Sequence, residues 1–252
     1  MSAFGEWTPL VAFIGTFVLL LLAKRWITLR LQELSIRWVG DPDIALILYF
    51  VVVLPGVVIH ELSHWLAAKA LGVRVTGFKI GPVRKGRSRR VSLGSIRVGQ
   101  VDPVRASLIG VAPLVGGTLV ILLIGYLVLD IDELRWLLEG QGSQALLDGV
   151  GQLMQVPDFW LWLYLIFSIS NAMLPSPSDM DTVRPVLIFL GAVAVVVLVV
   201  VGVPAIPAAA VAGVNRLAGY LATAFGLTLA VDLVFAVVIG GLLVGTRWFQ
   251  QS

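Results

Sequence analysis

The chain has 252 residues, 58% of them hydrophobic and 13% charged, with a net charge of +3. Soluble domains carry a charged share of about 25%, so an ordinary soluble domain is excluded and a polytopic membrane protein is expected. There is no cysteine and there are two histidines, which excludes disulfides and thiolate sites and leaves any metal site to be completed by a carboxylate.

Bilayer crossings need about 20 apolar residues each. On that measure hydropathy predicts about six spans: Thr8 to Ala23, Ile44 to Leu71, Val104 to Leu129, Pro157 to Leu174, Pro185 to Val203 and Leu217 to Val244. The first is preceded by Glu6 without a basic residue and followed by no small-residue cleavage site, so a removable signal peptide is not expected. After it, Trp26 to Val39 mixes Trp26, Ile27, Leu31, Leu34 and Trp38 with Arg30, Glu33 and Arg37, a pattern that predicts an amphipathic helix lying in the membrane interface.

The second span contains His60-Glu61-Leu62-Ser63-His64. Residues four apart share a helix face, so His60 and His64 can present two imidazole nitrogens to one metal ion, and Glu61 can reach a water on that ion. Three ionisable groups in an apolar span are costly and mark a functional site. Pro55-Gly56, just before the motif, predicts a kink or the close approach of another backbone.

From Val73 to Val101 the helical pattern gives way to alternation in Val73, Val75, Phe78 and Ile80, then in Val91, Leu93, Ile96 and Val98, with a basic, turn-prone stretch from Gly81 to Arg90 between. This predicts a β-hairpin or small sheet at one membrane face. Ten of the eighteen basic residues lie between Lys69 and Arg105, with Phe78 as the lone aromatic. Nucleic acid is therefore not expected as a partner, and anionic lipid headgroups are. The positive-inside rule places the segment around Arg84, Lys85, Arg87, Arg89 and Arg90 in the cytoplasm, and the acidic loop from Asp130 to Asp158, with Asp132, Glu133, Glu139 and Asp148 against Arg135, outside. Pro204 to Gly213 reads as a turn or re-entrant connection. Asp232, between Val231 and Leu233, is either a proton, ion or supporting site or a hydrogen-bonded contact between helices.

With the motif helix entering from outside, His60 lies about 16 residues in, roughly 24 Å of rise, nearer the cytoplasmic face. A partner carboxylate should then come from a cytoplasmic helix end. The fourth span runs the same way and ends in Asn171-Ala172-Met173-Leu174-Pro175-Ser176-Pro177-Ser178-Asp179-Met180-Asp181, where prolines break the helix before two carboxylates.

This order of motifs, an HExxH sequence in an early span, a basic β-prone segment, then a late span ending in Asn, prolines and Asp, resembles the site-2 protease family of intramembrane zinc metalloproteases. Members carry Asn-x-x-Pro-x-x-x-x-Asp-Gly, whose Asp is the third zinc ligand. Asn171 and Asp179 keep that Asn-to-Asp spacing, while Pro175 stands one place later and Met180 replaces the Gly, which leaves Asp181 as a rival ligand. The resemblance covers roughly residues 44–186, with 73–101 as the hairpin region; residues 1–43 and 187–252 are expected to add accessory helices to one membrane domain.

The resemblance implies Zn2+ held by His60, His64 and Asp179, Glu61 as the group that activates water, and cleavage of a single-span membrane protein within a cell membrane. It also implies that Asn171 binds the substrate backbone or developing oxyanion; an interhelical hydrogen bond is the alternative role. An edge strand within 73–101 could hold the unwound substrate by strand addition. The rival readings are a transporter or channel for an ion or protons, and an inactive protease-like protein that binds membrane partners.

Overall fold

The computed structural model describes residues 3–84, 91–131, 143–201 and 207–249. The described residues form helices α1 (Ala3–Val39), α2 (Pro42–Val52) and α3 (Leu54–Ala70), strands β1 (Val75–Arg84) and β2 (Val91–Val98), and helices α4 (Pro103–Leu127), α5 (Ser143–Leu153), α6 (Phe159–Met173), α7 (Pro177–Val201) and α8 (Ala208–Phe249). Among them α1, α4 and α8 are long and apolar enough to cross a membrane, and α2 with α3 makes a fourth if the bent pair counts as one span. Six spans are not confirmed: the apolar α6 is a 15-residue helix, and α7 is not among the helices that meet the length and composition of a crossing over the described residues.

The outer surface supports membrane association. Val11, Leu127, Val199 and Val237 are each at least two-thirds exposed, and apolar side chains covering the outside of a bundle need lipid around them.

Helix α1 runs unbroken where a span and a separate interfacial helix were expected. Its buried residues Leu20, Ile27, Leu31 and Leu34 continue one stripe at intervals of seven, four and three, the spacing of a single helix face. That stripe packs along α8, where Phe13 and Phe17 stack on Phe225 with ring centroids 5.8 and 5.6 Å away. The charges that marked Trp26 to Val39 as interfacial compensate locally, since Glu33 accepts from Arg30 at 2.7 Å and from Arg37 at 2.8 Å.

The second expected span is broken at Val53, where α2 and α3 meet at 72°. Pro55 explains the break: it lacks the N–H that would reach the Val51 carbonyl, and its ring clashes with the preceding turn. Gly56 adds the close approach, because a Cβ there would overlap the Ser168 carbonyl of α6. Its N–H also donates to Ser168 Oγ at 2.9 Å. A rise counted along a straight helix from Ile44 to His60 therefore does not give the depth of the motif.

The hairpin forms as expected. Strands β1 and β2 pair antiparallel, with Phe78 opposite Ile96 and Ile80 opposite Gly94, and a bulge falls between Ile80 and Val83. Gly81, at φ 135°, absorbs that bulge. The sheet packs on α3. The basic turn with Lys85, Arg87, Arg89 and Arg90, and the loop residues Asp132, Glu133, Arg135 and Glu139, lie outside the described residues, as does part of the connection expected from Pro204 to Gly213. The rest of that connection belongs to α8, which is helical from Ala208.

Candidate metal centre

Three helices converge on the motif. His60 and His64 project from one face of α3, and Asp179 from the first turn of α7. His60 Nε2 lies 3.1 Å from His64 Nε2, 3.6 Å from Asp179 Oδ2, and His64 Nε2 lies 3.4 Å from Asp179 Oδ1. Ligand atoms held about 2.0–2.2 Å from one tetrahedral ion stand about 3.3–3.6 Å apart. The two histidine-to-carboxylate distances, each to its own oxygen of Asp179, fall in that range and the distance between the histidines is slightly shorter, so the group could hold a metal ion.

The other ring nitrogens fix which tautomer faces the cluster. His60 Nδ1 donates to the Ala172 carbonyl at 2.8 Å and His64 Nδ1 to the Ile109 carbonyl at 2.7 Å. A carbonyl only accepts, so each Nδ1 carries the proton, and in its neutral form each ring turns an Nε2 lone pair towards Asp179. Two lone pairs at 3.1 Å and a carboxylate repel one another unless a proton or a cation lies between them. The donor set fits a divalent cation.

Both carbonyls are available for a reason written in the sequence. A helix carbonyl is normally taken by the N–H four residues on. For Ile109 that residue is Pro113, which has none, and Pro113 is fully buried inside α4. For Ala172 it is Ser176, beyond the end of α6, whose N–H goes instead to Asp179 Oδ2 at 2.7 Å. Pro113→Ala would return an N–H to Ile109 O and divide that acceptor between two donors. A fall of about tenfold in metal affinity is expected, in the range for loss of a ligand's supporting bond; zinc titration of the purified variant measures it, and unchanged affinity would show that the carbonyl does not matter.

Asp179 is placed by a local device. Ser176 stands before the first residue of α7, Pro177 occupies the first helical position, and Asp179 the third. Asp179 N–H points to Ser176 Oγ at 3.4 Å while the Asp179 carboxylate accepts from Ser176 N. This reciprocal pair is a capping box with proline at its preferred position. Asp181, two residues on, is exposed and outside the cluster, so of the two candidate carboxylates it is Asp179 that joins the histidines.

Helix α4 supports the same corner. Ser107 Oγ donates to the Thr182 carbonyl at 2.7 Å, and Gly110 lets the first turn of α7 close in, since a Cβ there would stand 2.8 Å from Thr182 Oγ1 and 3.1 Å from the Asp179 carbonyl. Gly116 makes the same room for Ser63, and Gly117 for Met173.

Glu61 is buried at 5% exposure and lies against β2, because a Cβ on Gly94 would overlap its carboxylate. Gly94 is thus a site residue that sequence reasoning did not single out. A glycine inside a strand, where another group approaches closely, was the available signal.

Asn171 Nδ2 donates to the Phe167 carbonyl of its own helix at 2.8 Å and lies 3.3 Å from Ser170 Oγ and, across to α8, 3.4 Å from Asp232 Oδ1. None of its described contacts joins the His60, His64 and Asp179 cluster.

The helices and the site together describe a membrane-associated, mainly helical protein with one candidate metal centre among the described residues. No family model, curated protein or solved structure matches the chain.

Proposed function

We propose that this protein is an intramembrane zinc metalloprotease that cleaves single-span membrane substrates. The observation that supports the reading is the approach of Asp179 to within 3.6 Å of both His60 and His64, from a helix more than a hundred residues away in the chain. A zinc ion in that site would supply Lewis acidity and lower the pKa of a water to about 7.

The chain's own residues account for the rest. Ala172 and Ile109 hold the two rings in the tautomer that binds metal. The Glu61 carboxylate takes a proton from the attacking water, whose oxygen bonds to the scissile carbonyl carbon, and returns it to the amine nitrogen as the C–N bond breaks. The apolar surround excludes bulk water from the site. Strands β1 and β2, beside Glu61, offer main-chain partners to a substrate segment that has left its helix.

In this reading α6 and α7 complete a domain of about six spans, the basic hairpin faces the cytoplasm with the site nearer that side, and Lys79, Arg97 and their neighbours meet anionic headgroups. Reconstitution of the purified protein in liposomes with a panel of single-span peptides, each carrying a fluorophore and quencher, tests it. Cleavage that stops with a zinc chelator and returns with added zinc is expected. Bound zinc with no hydrolysis across the panel would overturn the protease reading in favour of an inactive binding protein, and zinc-dependent ion flux in favour of a transporter.

A further inference from the structure

Helix α6 is held from two sides. Ser168 and Ala172, one turn apart, face α3: Ser168 receives the Gly56 N–H and Ala172 the His60 Nδ1 proton. Phe167, Ser170 and Asn171 occupy a second face, towards α8. There Phe167 stacks on Phe235 with centroids 4.1 Å apart, and one turn back along α8 Asp232 Oδ1 accepts from Ser170 Oγ at 2.8 Å and lies 3.4 Å from Asn171 Nδ2.

Asp232 is 1% exposed and its second oxygen, Oδ2, has no hydrogen-bond partner among the described residues. A carboxylate so buried in a span is costly and marks a position with a task. The cluster joins α6 and α8 at the turn whose next residue supplies the carbonyl under His60.

We propose that Asp232 is a positioning residue of the metal centre: from α8 it fixes the rotation of the last turn of α6, so that Ala172 O stays aligned with His60 Nδ1. The proposal rests on the metal-centre reading given above. It gives the accessory helix α8 a function at the site, which it reaches without contributing a ligand. Burial alone does not explain the cluster, because a leucine at 232 would be buried without needing the Ser170 hydroxyl as a partner.

Zinc affinity, measured by competition with a chromophoric chelator on the full-length protein in detergent micelles, separates positioning from mere stability. The wild type, His64→Ala, Asp232→Leu, Asp232→Asn and Ser170→Ala are compared well below their unfolding temperatures. Asp232→Leu is expected to weaken zinc binding about tenfold or more, the range for loss of outer support to a ligand. Asp232→Asn, which keeps an acceptor for Ser170, should stay close to the wild type. Ser170→Ala removes the 2.8 Å donor with little change of volume and should fall between them; it decides the matter if Asp232→Leu does not fold. Wild-type zinc affinity in Asp232→Leu or, failing that, in Ser170→Ala would overturn the proposal and leave the metal centre standing. Equal affinity in the wild type and His64→Ala would overturn both.

Discussion

Asp179→Ala is expected to abolish stoichiometric zinc binding, while Asp181→Ala leaves it intact. The first change removes one of three ligand groups that stand within 4.8 Å of one another and, with it, the acceptor for Ser176 N–H. The second removes an exposed carboxylate about 200° further round the helix. Loss of the cap costs about 1 kcal/mol on its own, so helix fraying could mimic ligand loss. Asp179→Asn separates the two: its amide oxygen still accepts from Ser176, but it is a poor ligand for zinc. Metal content after dialysis, read beside circular dichroism, should show helix retained and zinc lost in Asp179→Asn. Zinc retained in Asp179→Ala and lost in Asp181→Ala would mean that the cluster is not the binding site.

Glu61→Gln is expected to lower the rate of substrate cleavage by about 10²–10⁴-fold, the contribution of a positioned general acid and base, with zinc still bound. Glutamine fills the same space against Gly94, so the variant keeps the packing of β2 on α3 and loses the group that carries the proton. Single-turnover cleavage of a reconstituted substrate, with zinc content measured on the same sample, checks it. Full activity in Glu61→Gln would remove Glu61 from the mechanism.

The hairpin and the histidine pair of the candidate site were legible in the chain because local rules decide them. Alternation from Val73 to Val98 needs no tertiary information, and the absence of further His or Cys forces a carboxylate into the site. Ser176-Pro177-Ser178-Asp179 is equally local: a capping sequence ahead of an apolar run, it would have favoured Asp179 over Asp181 without any family pattern. The continuity of α1 was hidden because charge outweighed periodicity in the reading of Trp26 to Val39, although the stripe through Ile27, Leu31 and Leu34 continues that of Leu20. The 72° turn at Val53 was signalled by Pro55 only as a kink of unspecified size. Its size depends on Gly56 meeting Ser168, a pairing 112 residues apart that no window of sequence contains.

The capping box divides the candidate site into two parts that are set in different ways. Ser176, Pro177 and Asp179 orient the carboxylate through bonds within four consecutive residues, so its direction depends on the first turn of α7 and not on a neighbouring helix. A slip of one residue in the start of α7 would swing that carboxylate by about 100°, and proline at the first position resists the slip because its ring forbids one more turn upstream. The histidines, by contrast, depend on the free carbonyls of α4 and α6 for the hydrogen bonds that orient their rings. Half of the candidate site is thus set by its own short segment and half by the packing of α3 between α4 and α6.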